Sequence, residues 1–205
     1  MRESTWGLAT LGLLAGLVAS GWAPHDRLTW FLEVVPVLVI WPCLWLTRHR
    51  HPFTSLLLGL VFVHALVLML GGAYTYARVP LGFSLQEGLG LSRNPYDKIG
   101  HFFQGFVPAL AAREILLRGR HVRPGAMLSL LVICVVLAIS AGYELIEWGV
   151  ALALGQGAEE FLGTQGDPWD TQSDMFMALI GGVAALLLFA RWQDRQMVQV
   201  ARRRW

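Results

Sequence analysis

Charge is scarce in this chain, and lysine nearly missing. Only 15% of the 205 residues are Asp, Glu, Lys or Arg, 55% are hydrophobic, mean hydropathy is +0.52, and Lys98 is the single lysine. That deficit excludes an ordinary water-soluble domain, in which about a quarter of residues are charged. Two cysteines, Cys43 and Cys134, fall in apolar runs with neither CxxC nor finger spacing, which excludes a disulfide framework and a thiolate metal site. Gly-x-Ser-x-Gly, His-Glu-x-x-His and a P-loop are all missing, so serine-hydrolase, zincin and nucleotide-motor chemistry have no support.

What fills the chain is apolar runs. Six of them, at 6–23, 28–47, 55–76, 99–117, 125–154 and 172–190, approach or exceed the ~20 residues a helix needs to cross a bilayer. The expected fold is all-α: a polytopic bundle of six transmembrane helices over 1–190, followed by a basic tail at 191–205. The first run is read as a span and not as a cleaved leader, because the charge pattern is self-consistent with six helices. The loop over 77–96, punctuated by Gly and Pro yet still apolar, is expected to be ordered as a lid on the outer face.

The sixteen cations are unevenly placed. With the amino terminus in the cytoplasm, Arg2, Arg48, Arg50, Arg113, Arg118, Arg120, Arg123, Arg191, Arg195 and Arg202 to Arg204 are inside, and only Arg27, Arg78, Arg93 and Lys98 are outside. This positive-inside asymmetry puts both termini in the cytoplasm. The tail, with Trp192 and Trp205, suits contact with anionic membrane lipid. A nucleic-acid partner is not expected, since no folded module stands behind that tail.

Eleven of the fourteen acids fall on the opposite side. Glu144 and Glu147 sit at i, i+3 in an apolar run and share one helix face, as do Asp97 and His101 at i, i+4 with Gln104 a turn further on. Glu33, Asp170 and Asp174 reach the same depth from two further helices. Alone, Asp97 reads as a helix cap. Together, this many acids in a membrane define a site, because converging carboxylates cannot all stay ionised without a counter-charge. The expected counter-charge is a divalent cation, one of Mg, Mn, Ca, Fe or Zn, held by Asp97, His101, Glu144, Glu147, Asp170 and Asp174. Glu33 or His101 is the expected acid-base group, and His64, alone near mid-membrane, is read as a neutral packed histidine. The Glu-x-x-His pairing of di-metal bundles is not present.

The segments Tyr96-Asp97-Lys98-Ile99-Gly100-His101-Phe102, Tyr143-Glu144-x-x-Glu147-Trp148 and Gly163-Thr164-Gln165-Gly166-Asp167-x-Trp169-Asp170-Thr171-Gln172-x-Asp174-Met175 resemble the YjdF-like family of bacterial inner-membrane proteins. The resemblance covers most of the chain and implies a polytopic helical protein without specifying an activity. Asp97-Lys98-x-x-His101-Phe102, with an Asp near the start of the last helix, is more loosely similar to VanZ-like membrane proteins, associated with glycopeptide resistance. That likeness points toward the cell envelope.

Three functional expectations follow. The first is a metal-dependent hydrolase or transferase acting on a lipid or envelope-linked phosphate or ester, with its pocket opening to the outer, periplasmic face. The second is an ion- or proton-coupled transporter or channel component, disfavoured by the apolar inner halves of the helices and the lack of an inverted repeat. The third is a non-catalytic membrane partner whose acids are structural. Oligomeric state is not encoded in any of these patterns.

Overall fold

The computed structural model describes residues 3–154 and 164–202. Arg2, Glu159, Glu160, Arg203, Arg204 and Trp205, used above in assigning charge and sidedness, lie outside the described residues. Among those described there are seven helices and no strand: α1 (Glu3–Trp22), α2 (Arg27–Thr47), α3 (Ser55–Ala73), α4 (Pro80–Leu89), α5 (Tyr96–Arg118), α6 (Ala126–Leu154) and α7 (Asp170–Arg202). Five of them, α1, α2, α3, α6 and α7, are long and apolar enough to cross a membrane. Their outward faces carry the residues lipid demands: Leu8, Leu11, Leu187 and Leu188 are all exposed.

α5 is the axis. At 23 residues it runs about 35 Å, enough to span, yet it is charged at both ends, with Asp97 and Lys98 at one and Arg113, Glu114 and Arg118 at the other. α3, α6 and α7 pack around it, and α7 most extensively. The α5–α7 crossing is backbone against backbone: a Cβ on Gly105 would overlap the Ala178 carbonyl oxygen, and one on Gly181 the Phe102 carbonyl oxygen. Small residues let helices approach this closely where lipid supplies no hydrophobic drive between them. α1 and α2 pack with α3 around a second apolar cluster that includes Trp6, Leu13, Val37 and Trp41.

Two segments differ from expectation in detail. The loop over 77–96 contains α4, begun by Pro80 and ended by Gly90 in the left-handed conformation at φ 63°. α7 does not stop near residue 190 but continues to Arg202, because Gln193 has a buried polar partner set on α5 and Gln196 accepts hydrogen bonds from the Leu56 amide and the Ser55 hydroxyl.

Candidate metal centre

The Asp97 end of α5 lies against the start of α7 and the Tyr143–Glu147 turn of α6, so three apolar helices deliver their few acids to one place. Asp97 and His101 share a face of α5 by i, i+4 spacing, and Asp174 arrives one turn into α7. One oxygen of each carboxylate and one imidazole nitrogen lie within 4.8 Å of one another, and all three residues are buried. His101 Nε2 is 3.5 Å from Asp97 Oδ1 and 3.8 Å from Asp174 Oδ1. These separations exceed ordinary hydrogen bonds, which end near ~3.2 Å. They match an edge of a coordination polyhedron: two ligands ~2.1 Å from a tetrahedral ion stand about 3.4 Å apart.

The other imidazole nitrogen is already engaged. Nδ1 lies 3.2 Å from Gln104 Oε1; a ring protonated there alone presents the Nε2 lone pair to the two carboxylates, and a ring protonated on both nitrogens is their counter-charge. The first of these is the tautomer a metal-binding histidine needs, and Gln104 is the kind of outer partner metal sites use. Among the described residues Asp97 Oδ2 is buried with no hydrogen-bond partner, Lys98 Nζ standing 3.8 Å away. An uncompensated buried carboxylate oxygen is costly, and a cation removes the cost.

The remaining expected ligands are near but differently employed. Asp170 Oδ1 accepts from Arg93 Nη2 at 2.6 Å and from Lys98 Nζ at 2.7 Å, so it is tied to two fixed cations. Lys98 also donates to Asp174 Oδ1 at 2.6 Å, holding that carboxylate in place. Burial alone would ease the proton off Arg93, but the hydrogen bond and charge of Asp170 more than offset this and raise its pKa above the usual arginine value. Glu144 is buried, with Oε1 lacking a hydrogen-bond partner and standing 3.9 Å from His101 Nδ1. Glu33 accepts a 3.1 Å hydrogen bond from the Tyr143 hydroxyl. Glu33 and Glu147, with Asp97 and His101, line an adjoining cavity of about 520 Å³.

The expected pocket opening to the outer face is overturned. Asp97, His101 and Asp174 are only 8%, 6% and 2% exposed, so the triad is enclosed by the bundle. The closure has a physical basis. Asn94 and Gln165 exchange reciprocal hydrogen bonds, Asn94 N to Gln165 Oε1 at 3.1 Å and Gln165 Nε2 to Asn94 O at 3.0 Å. Arg93 donates to the Thr164 carbonyl at 2.7 Å beside its bond to Asp170. The two loops leading into α5 and α7 are thereby stitched together at the polar end. A metal-dependent enzyme with an outward-facing pocket is not what this geometry supports.

Arg93, Asn94 and Gln165 were not among the expected site residues. Their signal was an arginine and an asparagine in an otherwise apolar loop directly before the acid-bearing helix, and a glutamine amid the Gly-rich turn before Asp170.

Comparison with known proteins agrees with this architecture. A family model described as predicted membrane protein (DUF2238) matches residues 6–195. The chain is 59% identical over 189 residues, 92% of its length and 90% of the relative's, to the inner membrane protein YjdF of Escherichia coli (strain K12). No solved structure matches. The chain is therefore a multi-pass inner-membrane protein and belongs to the DUF2238, YjdF-like family.

Proposed function

We propose that this protein is a cation-binding membrane protein in which Asp97, His101 and Asp174 hold one divalent ion inside the helix bundle. The observation that carries the reading is the His101 ring: Nδ1 is occupied by Gln104 while Nε2 faces two carboxylates at distances suited to a shared ion. Two carboxylates and one imidazole are a borderline-hard set, which favours Mn, Fe or Zn over Mg and Ca. Arg93 and Lys98 position Asp170 and Asp174, and Glu144, with its unpartnered oxygen, is the nearest further donor. With α5 counted as a span there are six, both termini are cytoplasmic, the arginine-rich end from residue 191 meets anionic lipid, and the ion lies in the periplasmic half of the membrane.

The test is metal content by mass spectrometry on protein purified in detergent without chelator and reloaded with Mn, Fe or Zn. About one equivalent in the wild type, lost in Asp97→Asn, His101→Gln and Asp174→Asn, is the expected result. A folded wild type that takes up no metal overturns it and leaves protonated His101 as the counter-charge. Cysteine accessibility at the two termini checks the orientation.

A further inference from the structure

The cavity beside the triad is far longer than an ion needs. Its lining on α5 runs from Asp97 to Ile115, about 27 Å of helix at 1.5 Å per residue. That is close to the ~30 Å thickness of a bilayer's hydrocarbon. The volume, about 520 Å³, is in the ~300–1,000 Å³ range of small-molecule sites. The polarity is arranged lengthwise. Glu33, Asp97, His101, Tyr143 and Glu147 are at one end, and Trp41, Ala112 and Ile115 at the other. Pro36 and Pro108 lie inside α2 and α5 on walls of this cavity, each without the amide that would donate a helical hydrogen bond.

We propose that this cavity takes a single-chain amphiphile, its hydrocarbon tail along the apolar walls and a cationic amine head among Glu33, Asp97 and Glu147. The tail follows from shape and lining. Ile40, Val135 and Ile139 line the cavity and are also 48%, 37% and 41% exposed, so its apolar walls continue into the lipid-facing surface of α2 and α6. A chain can enter from the bilayer. The head follows from charge complementarity. Of the residues lining the polar end, three are carboxylates, and His101 is the only basic one. The neighbouring cations, Arg93 and Lys98, are committed to Asp167, Asp170 and Asp174, with Lys98 reaching Asp97 only at 3.8 Å. Such an end offers chiefly acceptors, which suits an ammonium's three donors and leaves a phosphate or carboxylate head short of partners. Asp97 Oδ2, buried and unpartnered, is the acceptor in waiting. Midway along, His64 lines the wall with its Nε2 unpartnered, a second polar station for a hydroxyl on the chain.

This goes beyond the metal reading, since it rests on Glu33, Glu147 and the tail walls and shares only Asp97 with the triad, a carboxylate for which ion and ammonium are alternative partners. The test uses three photoreactive C18 probes, an amine, an alcohol and a carboxylic acid, with the full-length protein in nanodiscs and cross-links mapped by peptide mass spectrometry. The amine is expected to label Val107, Ala111 and Ile139 about tenfold more than the acid, a difference of ~1.4 kcal/mol. Ile139→Trp, which adds bulk at a partly exposed wall and should fold, is expected to abolish that labelling. Glu33→Gln with Glu147→Gln is expected to erase the preference for amine while leaving alcohol labelling intact. Equal labelling by all three probes, or labelling indifferent to Ile139→Trp, overturns the proposal. Chelation is expected to leave amine labelling the same or raise it, because removing a cation frees Asp97; labelling that vanishes with the metal overturns the assignment of the head to Glu33 and Glu147.

Discussion

At the Arg118 end of α5, Glu114 has no exposed surface and accepts four hydrogen bonds: from the Thr54 amide at 2.9 Å, the Thr54 hydroxyl at 2.7 Å, Arg118 at 2.7 Å and Gln193 at 3.2 Å. Next to it Arg113 donates to Gln193 at 3.1 Å and to Asp194 at 2.7 Å. At the other end of the same helix Asp97 is nearly as buried, yet its Oδ2 accepts nothing. Burial is alike at both ends, but satisfaction is not. A buried polar network with every member paired specifies structure, whereas one with open positions is strained or awaiting a partner. The pairing at the Arg118 end clamps α3, α5 and α7, and the unpaired carboxylate oxygens at the Asp97 end are what the proposed ion would satisfy.

The largest effect that would sharpen this contrast is Glu114→Ala. It strands both donors of Thr54 and takes the carboxylate from Arg118 and Gln193, which keep only the Pro52 and Leu110 carbonyls as acceptors, and breaking a buried pair of this kind costs about 3–5 kcal/mol. Equilibrium unfolding in mixed micelles should show it, and a loss near zero would mean the network is decorative. A smaller effect is expected at Asp26, which caps α2 by accepting from the Thr29 amide at 2.7 Å. Asp26→Ala should cost about 1 kcal/mol. The same hydrogen bond lowers the Asp26 pKa below its usual 3.8. Its contribution is therefore complete above the unfolded-state pKa and is lost as pH falls through the lower, folded value. The gap between wild type and Asp26→Ala should hold at neutral pH and close in strong acid. The smallest effect on stability is expected from Asp97→Asn without metal, within about 0.5 kcal/mol, because no hydrogen bond to Oδ2 is broken. A loss as large as that of Glu114→Ala would erase the distinction between the two ends.

The helical, membrane-spanning character was legible from the apolar runs, and the acids were legible because charges are rare in such runs. Asp97 and His101 could be paired on spacing alone. What separates Asp174, in the triad, from Asp170, tied to Arg93 and Lys98, is one helical turn and the place where a loop arginine seventy-seven residues away comes to rest. No local pattern encodes that. Enclosure was illegible for the same reason. Sequence depth placed the acids near the end of the bundle, but whether water reaches them depends on Asn94 and Gln165 meeting across two loops. The role of Glu114 was illegible as well, since its four donors come from three separate elements.

The most direct measurement is the shift in unfolding temperature when Mn, Fe or Zn is added to chelator-treated protein, wild type beside Asp97→Asn. Binding only the folded state stabilises it by about 2.7 kcal/mol at a hundred times the dissociation constant. The wild type should rise by several degrees and Asp97→Asn should stay where it is. Equal shifts in both, or none in either, would contradict a metal centre built on Asp97, His101 and Asp174.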